Sequence, residues 1–217
     1  MSPKDRPKSP RQRLFVALEL PDEFLDPFVS WREEAFSDRR DLRLPSRYSL
    51  HVTLVFLGYQ YERDIEKIAE ASFSDGGGAG GESFELKPTD VTEVPPRRPR
   101  LYAVGLEDLG EKLTAWQGKL AERLSGAGYY EPEKRAFWPH ITIARFKQTE
   151  RHRTGGGARG GARGRGPAAQ PAPMPELPEE LQASFQAGRL TLYKSTLRPQ
   201  GAEYEPLRRV ELSAADS

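Results

Sequence analysis

Apolar residues in this chain come in short runs separated by polar, glycine-rich or proline-rich breaks. RLFVALEL, residues 13–20, is apolar and β-compatible and predicts a strand. Pro21-Asp22 then opens a helix whose Phe24, Leu25, Phe28, Trp31 and Phe36 approximate one face through residue 36. Pro45 breaks the chain, and YSLHVTLVFLG at 48–58 predicts a second strand, with Gly58 as its stop. A helix over about residues 61–73 follows, with Ile65, Ile68, Ala69 and Phe73 inward, and GGGAGG at 76–81 reads as a flexible connector.

The second half repeats the plan. Residues 83–94 and 100–106 predict paired strands turning at PPRRP, 95–99. LGEKLTAWQGKLAERLS, 109–125, is the clearest amphipathic helix, with Leu109, Leu113, Trp116, Leu120 and Leu124 on one face. Gly126 and Gly128 end it. FWPHITIARF at 137–146 is a strand again, and 189–197 with 205–212 form a closing pair. Trp31 and Trp116 fall on apolar faces and are expected in the core.

Two stretches fit neither period. Residues 1–12 are polar and broken by proline, which predicts a disordered tail before a domain over 13–212. Residues 150–178 hold too much Gly, Pro and Arg to pack, and predict a disordered insertion. A tolerated loop insertion is the first reading of it, ahead of an RNA-attracting Arg-Gly arm.

Composition narrows the classes. A hydrophobic fraction of 36% is low, but its concentration in runs argues for a compact fold with insertions. The absence of cysteine excludes disulfides, thiolate metal sites and cysteine nucleophiles. A net charge of +1 argues neither for nor against a nucleic-acid partner. No apolar run approaches the ~20 residues that span a bilayer, so a soluble, cytoplasmic monomer with no membrane partner is expected.

The chemistry concentrates in histidine. Of three histidines, two sit in the same local sequence: His51-Val52-Thr53-Leu54 and His140-Ile141-Thr142-Ile143. This is the trace an internal duplication leaves. On a strand, residues i and i+2 share a face, so His51 joins Thr53 and His140 joins Thr142. Val52, Leu54, Ile141 and Ile143 face the other way. If the two strands lie side by side, two imidazoles and two hydroxyls line one cleft. One imidazole can take a proton while the other gives one, and the hydroxyls can donate to a growing negative charge. No third or fourth ligand accompanies the histidines at close spacing, so no metal and no cofactor are expected. His152, in the Arg-Gly stretch, reads as a solvated loop residue. Arg43, Arg47, Arg97, Arg98 and Arg100 read as solvated loop charges and are left outside the site.

These motifs resemble those of the two-histidine phosphoesterases, specifically the RNA 2′,3′-cyclic phosphodiesterases also called 2′-5′ RNA ligases. RLFVALELPDE (13–23), SLHVTLVFLG (49–58), WPHITIARF (138–146) and LTLYKSTLRPQGAEYEPLRRVEL (190–212) carry the likeness. The chain departs from it in the polar tail, in the insertion and in Trp138, where a histidine is common. The resemblance implies an α+β fold of two pseudo-symmetric lobes, each an antiparallel sheet backed by helices, with the active-site cleft between them. It implies hydrolysis of a 2′,3′-cyclic phosphate end of RNA to a 2′-phosphate, with 2′-5′ ligation as the reverse. His51 matches the proton donor and His140 the proton acceptor. Thr53, Thr142 and Arg145 match phosphate contacts, and Phe56 matches a base-stacking aromatic. Phe56 and Arg145 each lie five residues after a histidine, so plain alternation turns them away from it unless the strand bends. A small cyclic nucleotide or 2′-5′ oligonucleotide remains an alternative substrate, and a non-catalytic RNA-binding module an alternative class.

Overall fold

A computed structural model describes residues 10–74, 82–147 and 174–213. The predicted connector at 76–81, His152, most of the predicted tail and residues 150–173 of the predicted insertion lie outside the described residues.

Among the described residues the strands form one nine-stranded sheet, every strand pair antiparallel. β1 (Arg11–Glu19) leads into helix α1 (Asp22–Ala35), followed by a two-residue strand β2 (Leu42–Arg43). β3 (His51–Tyr61) and helix α2 (Ile65–Phe73) come next. The second half holds β4 (Phe84–Val94), β5 (Leu101–Asp108), helix α3 (Lys112–Gly126) and β6 (His140–Phe146). A short β7 (Phe185–Ala187) and the hairpin β8 (Arg189–Arg198) with β9 (Gly201–Glu211) close it.

The strand order is β7-β4-β5-β6-β3-β1-β8-β9, with β2 extending the free part of the β6 edge. The two lobes are therefore the two halves of one sheet. They join where β3 meets β6, through the single registered pair Val52 and Ile141.

Alternation within each strand divides the sheet into two faces. Leu14, Val16, Leu18, Val52, Leu54, Ile141 and Ile143 point to one side and pack with Phe24 and Phe28 of α1, Ile68 of α2 and Leu113, Leu120 and Leu124 of α3. Every one of these is buried. The other face carries a smaller apolar group, Phe15, Ala17 and Tyr193, with Tyr204 against it.

Some boundaries differ from expectation. Gly58 does not stop β3; it sits at φ +67° where two β3 residues face one β1 step, a bulge that a glycine tolerates, and pairing continues to Tyr61. Leu109 precedes α3 instead of opening it, its N–H donating to Glu85 O. Pro27 lies inside α1, in its second turn, without ending it. Trp31 and Trp116 are half-buried at the edge of the core.

Candidate active site

The two histidines open β3 and β6, whose antiparallel register pairs Val52 with Ile141. That register sets His51 alongside Thr142 and Thr53 alongside His140. All four side chains are half-buried and line one cleft of about 820 Å³.

Phe56 and Arg145 line the same cleft, which simple alternation forbids. Two bulges at equivalent places supply the missing half-turn. Val16 and Ala17 of β1 are consecutive, yet they pair with Val55 and Thr53, so Leu54 is the extra residue in β3. Tyr102 and Ala103 of β5 pair with Ala144 and Thr142, so Ile143 is the extra residue in β6. Each bulge stands three residues after its histidine. Leu54 with Val55, and Ile143 with Ala144, are consecutive buried pairs, and the next residue in each strand emerges on the histidine side.

Each imidazole has one nitrogen tied to backbone. His140 Nδ1 donates to Trp138 O at 2.9 Å, which leaves Nε2 carrying the lone pair. His51 hydrogen-bonds the Ser49 backbone, and its Nε2 lies 3.1 Å from Thr53 Oγ1. Burial pushes the His51 pKa down to about 4, and the charges of Arg145 and His140 add to that, while the Ser49 backbone and Glu19 oppose it. Burial also lowers His140, assisted by Arg145 and opposed by the Trp138 carbonyl. Both shifts favour the neutral rings.

The rings are also clamped by aromatics. The His51 centroid lies 4.9 Å from Phe15 and 5.3 Å from Tyr204, the latter edge-on. Trp138 stacks on His140 at 4.4 Å with planes 15° apart. Across the β1–β3 ladder from His51 sits Glu19, whose Oε1 accepts from Thr191 Oγ1 (2.6 Å), Tyr193 OH (2.6 Å) and Arg209 Nε (3.0 Å). Burial opposes ionisation of Glu19, but the hydrogen bonds from Thr191, Tyr193 and Arg209 outweigh it and hold its carboxyl below the usual range.

No family model matches the chain. It is similar to the RNA 2′,3′-cyclic phosphodiesterase of Methanocaldococcus jannaschii, 22% identical over 196 residues that cover 90% of this chain and 98% of that one. A protein of the same name from Archaeoglobus fulgidus is 27% identical over 141 residues, covering 63% and 73%. Among solved structures, TT0787 of Thermus thermophilus superposes with a TM-score of 0.71 at 21% identity, over 94% of this chain and 100% of that one. LigT of E. coli in its apo form gives 0.69 at 23%, over 94% and 99%. These structures share the fold, and the likeness to the Methanocaldococcus jannaschii protein runs along nearly the whole of both chains.

The cleft also takes in Arg43, which the sequence reading left outside the site, and Arg13, Ser195 and Tyr204, which it did not single out; they line it beside Arg145. Arg13 faces the cleft because it lies two residues before Phe15; its guanidinium stands 4.5 Å over the Phe56 ring. Arg43 pairs with Arg145 between β2 and β6. Arg47, by contrast, does not line the cleft and is paired with Asp22 and Asp26 of α1, at 2.8 and 2.7 Å. Arg97, Arg98 and Arg100, at the β4–β5 turn, do not line the cleft. Among the described residues no group of three or more His, Asp or Glu could hold a metal ion, and no helix is long and apolar enough to cross a membrane.

Proposed function

We propose that this protein hydrolyses 2′,3′-cyclic phosphate ends of RNA to 2′-phosphates by acid–base catalysis between His51 and His140, without a metal. The observation that carries this reading is that both imidazoles tie one nitrogen to backbone and turn the other into one cleft. The names of the archaeal relatives supply the substrate class, and E. coli LigT, of the same fold, has been crystallised with 3′-AMP.

In this mechanism the cyclic phosphate sits between the rings with Arg145 donating to its non-bridging oxygens. His140 Nε2 takes a proton from water as the water oxygen bonds to phosphorus. The P–O3′ bond breaks on the opposite side, and O3′ takes the proton from His51 Nε2. The product carries a 3′-hydroxyl and a 2′-phosphate; His140 is left protonated and His51 neutral, and solvent resets both. Thr53 and Thr142 donate to the charge that grows on phosphorus oxygens in the transition state. Phe56 offers a face for the terminal base. With a 5′-hydroxyl in place of water, the same groups would form a 2′-5′ bond.

The test is an oligonucleotide with a 2′,3′-cyclic phosphate end, incubated in chelator. Turnover to a 2′-phosphate is expected, with His51→Ala and His140→Ala each reducing it by roughly 10²–10⁴. Full activity in either variant would sink the mechanism, and a 3′-phosphate product would exchange the leaving group and both histidine roles. Loss of turnover in chelator would restore a metal to the reaction.

A further inference from the structure

The cleft holds more positive charge than one cyclic phosphate can use. Such a phosphate is a single monoanion, and one forked guanidinium such as that of Arg145 can meet two of its oxygens. Yet Arg13 and Arg43 turn into the same cleft, near enough for their charges to act on Arg145. Arg13, Arg43 and Arg145 form no ion pair with any described residue. The neighbouring Arg198, on the rim, does: its Nε donates to Glu203 Oε2 at 3.1 Å. Three like charges left together repel one another unless an anion joins them.

A polar atom accompanies them. Ser195 pairs with Arg13 across β1 and β8, so both project on the cleft side. Ser195 is only 7% exposed, and its Oγ makes no hydrogen bond to any described residue. Such a buried hydroxyl costs stability unless something in the cleft accepts from it. At the turn of the hairpin that carries Ser195, Gly201 lets the guanidinium of Arg43 lie close: a Cβ there would stand 3.2 Å from Cζ. The bare backbone at that position keeps the arginine seated over the cleft.

We infer that Arg13, Arg43 and Ser195 form a second phosphate subsite, which takes the phosphodiester next to the reacting end of the substrate. The inference rests on the reading of the cleft as a cyclic-phosphate site, and it narrows the substrate to a strand of at least two nucleotides, in preference to a cyclic mononucleotide. A guanidinium over Phe56 at 4.5 Å suits this geometry, since the arginine then holds the second phosphate beside the ring that receives the terminal base.

The experiment compares kcat/KM for three substrates with a 2′,3′-cyclic phosphate: a mononucleotide, a dinucleotide, and a dinucleotide whose internal linkage is an uncharged methylphosphonate. The wild-type protein should prefer the charged dinucleotide to the uncharged one by at least about tenfold, mostly in KM. In Arg13→Gln and Arg43→Gln that preference should shrink toward parity, and Arg13→Lys should keep part of it. Added salt should shrink the wild-type preference as well. Because each ratio is taken within one protein, a loss of stability in a variant does not move it. Equal turnover of charged and uncharged dinucleotides by wild type, or a preference that survives both glutamine variants, overturns the subsite. If wild type hydrolyses none of the three, the underlying reading of the cleft fails instead, and the subsite falls with it.

Discussion

In the proposed mechanism His51 gives a proton, yet the cleft disfavours the form that carries it. With its pKa pushed down to about 4, chiefly by burial, His51 is disfavoured as the imidazolium at pH 7 before substrate binds. A bound phosphate reverses one cause: its negative charge offsets Arg145 and favours the imidazolium. The sign follows directly. As pH rises through the low pKa of free His51, the protonated form needed for O3′ departure disappears, so kcat/KM falls from well below neutrality. Within the complex the pKa is higher, so kcat should hold to a higher pH before it falls. Measuring both profiles checks this; alkaline limbs of kcat/KM and kcat that coincide would remove the coupling. Much at this scale was legible in the sequence. Two His-x-Thr copies placed the imidazoles and hydroxyls by alternation alone. Which nitrogen each ring presents was not, because it depends on the carbonyls of Ser49 and Trp138 meeting the rings in space. Arg13 could have been found: it is two residues before Phe15 and opposite in parity to Leu14, Val16 and Leu18. What hides it is that an arginine opening a strand ordinarily reads as a solvated charge.

At the scale of the strand, the bulges at Leu54 and Ile143 decide which residues reach the chemistry. Inserting one alanine between Ala144 and Arg145 puts the new residue on the cleft side and turns Arg145 toward the helices. A lone guanidinium in that layer is costly, so the insertion should lower stability by roughly 3–5 kcal/mol in urea unfolding and abolish turnover. An insertion variant that keeps wild-type stability and rate would show that strand parity does not set the direction of Arg145. The bulges left only a faint mark in the sequence, the consecutive apolar pairs Leu54-Val55 and Ile143-Ala144, where alternation calls for a polar residue. Strands with a long apolar run were readable for a different reason: Leu14 to Leu18 and Leu54 to Leu57 are continuous enough to mark a buried strand without any alternation. β2 and β7, of two and three residues, are too short to show one, and β2 is the element that brings Arg43 beside Arg145.

Across the whole molecule, the two halves of the sheet are stitched at Val52 and Ile141, both fully buried under the histidines. Ile141→Ala leaves a cavity at that seam and should cost about 2–5 kcal/mol of stability, read by chemical denaturation. A cost below about 1 kcal/mol would mean the seam repacks freely. The order of strands carries a further consequence. β1 lies between β3, which follows it closely in the chain, and β8, which lies near the far end. The wall behind His51 thus combines Phe15 with Tyr193 and Tyr204, and its assembly must wait for one of the longest loop closures the chain makes. Pairings of that kind are entropically late events in folding. A refolding molecule would hold helices and local hairpins well before it held the wall behind His51, so under the proposed mechanism recovered turnover belongs with the slowest structural phase.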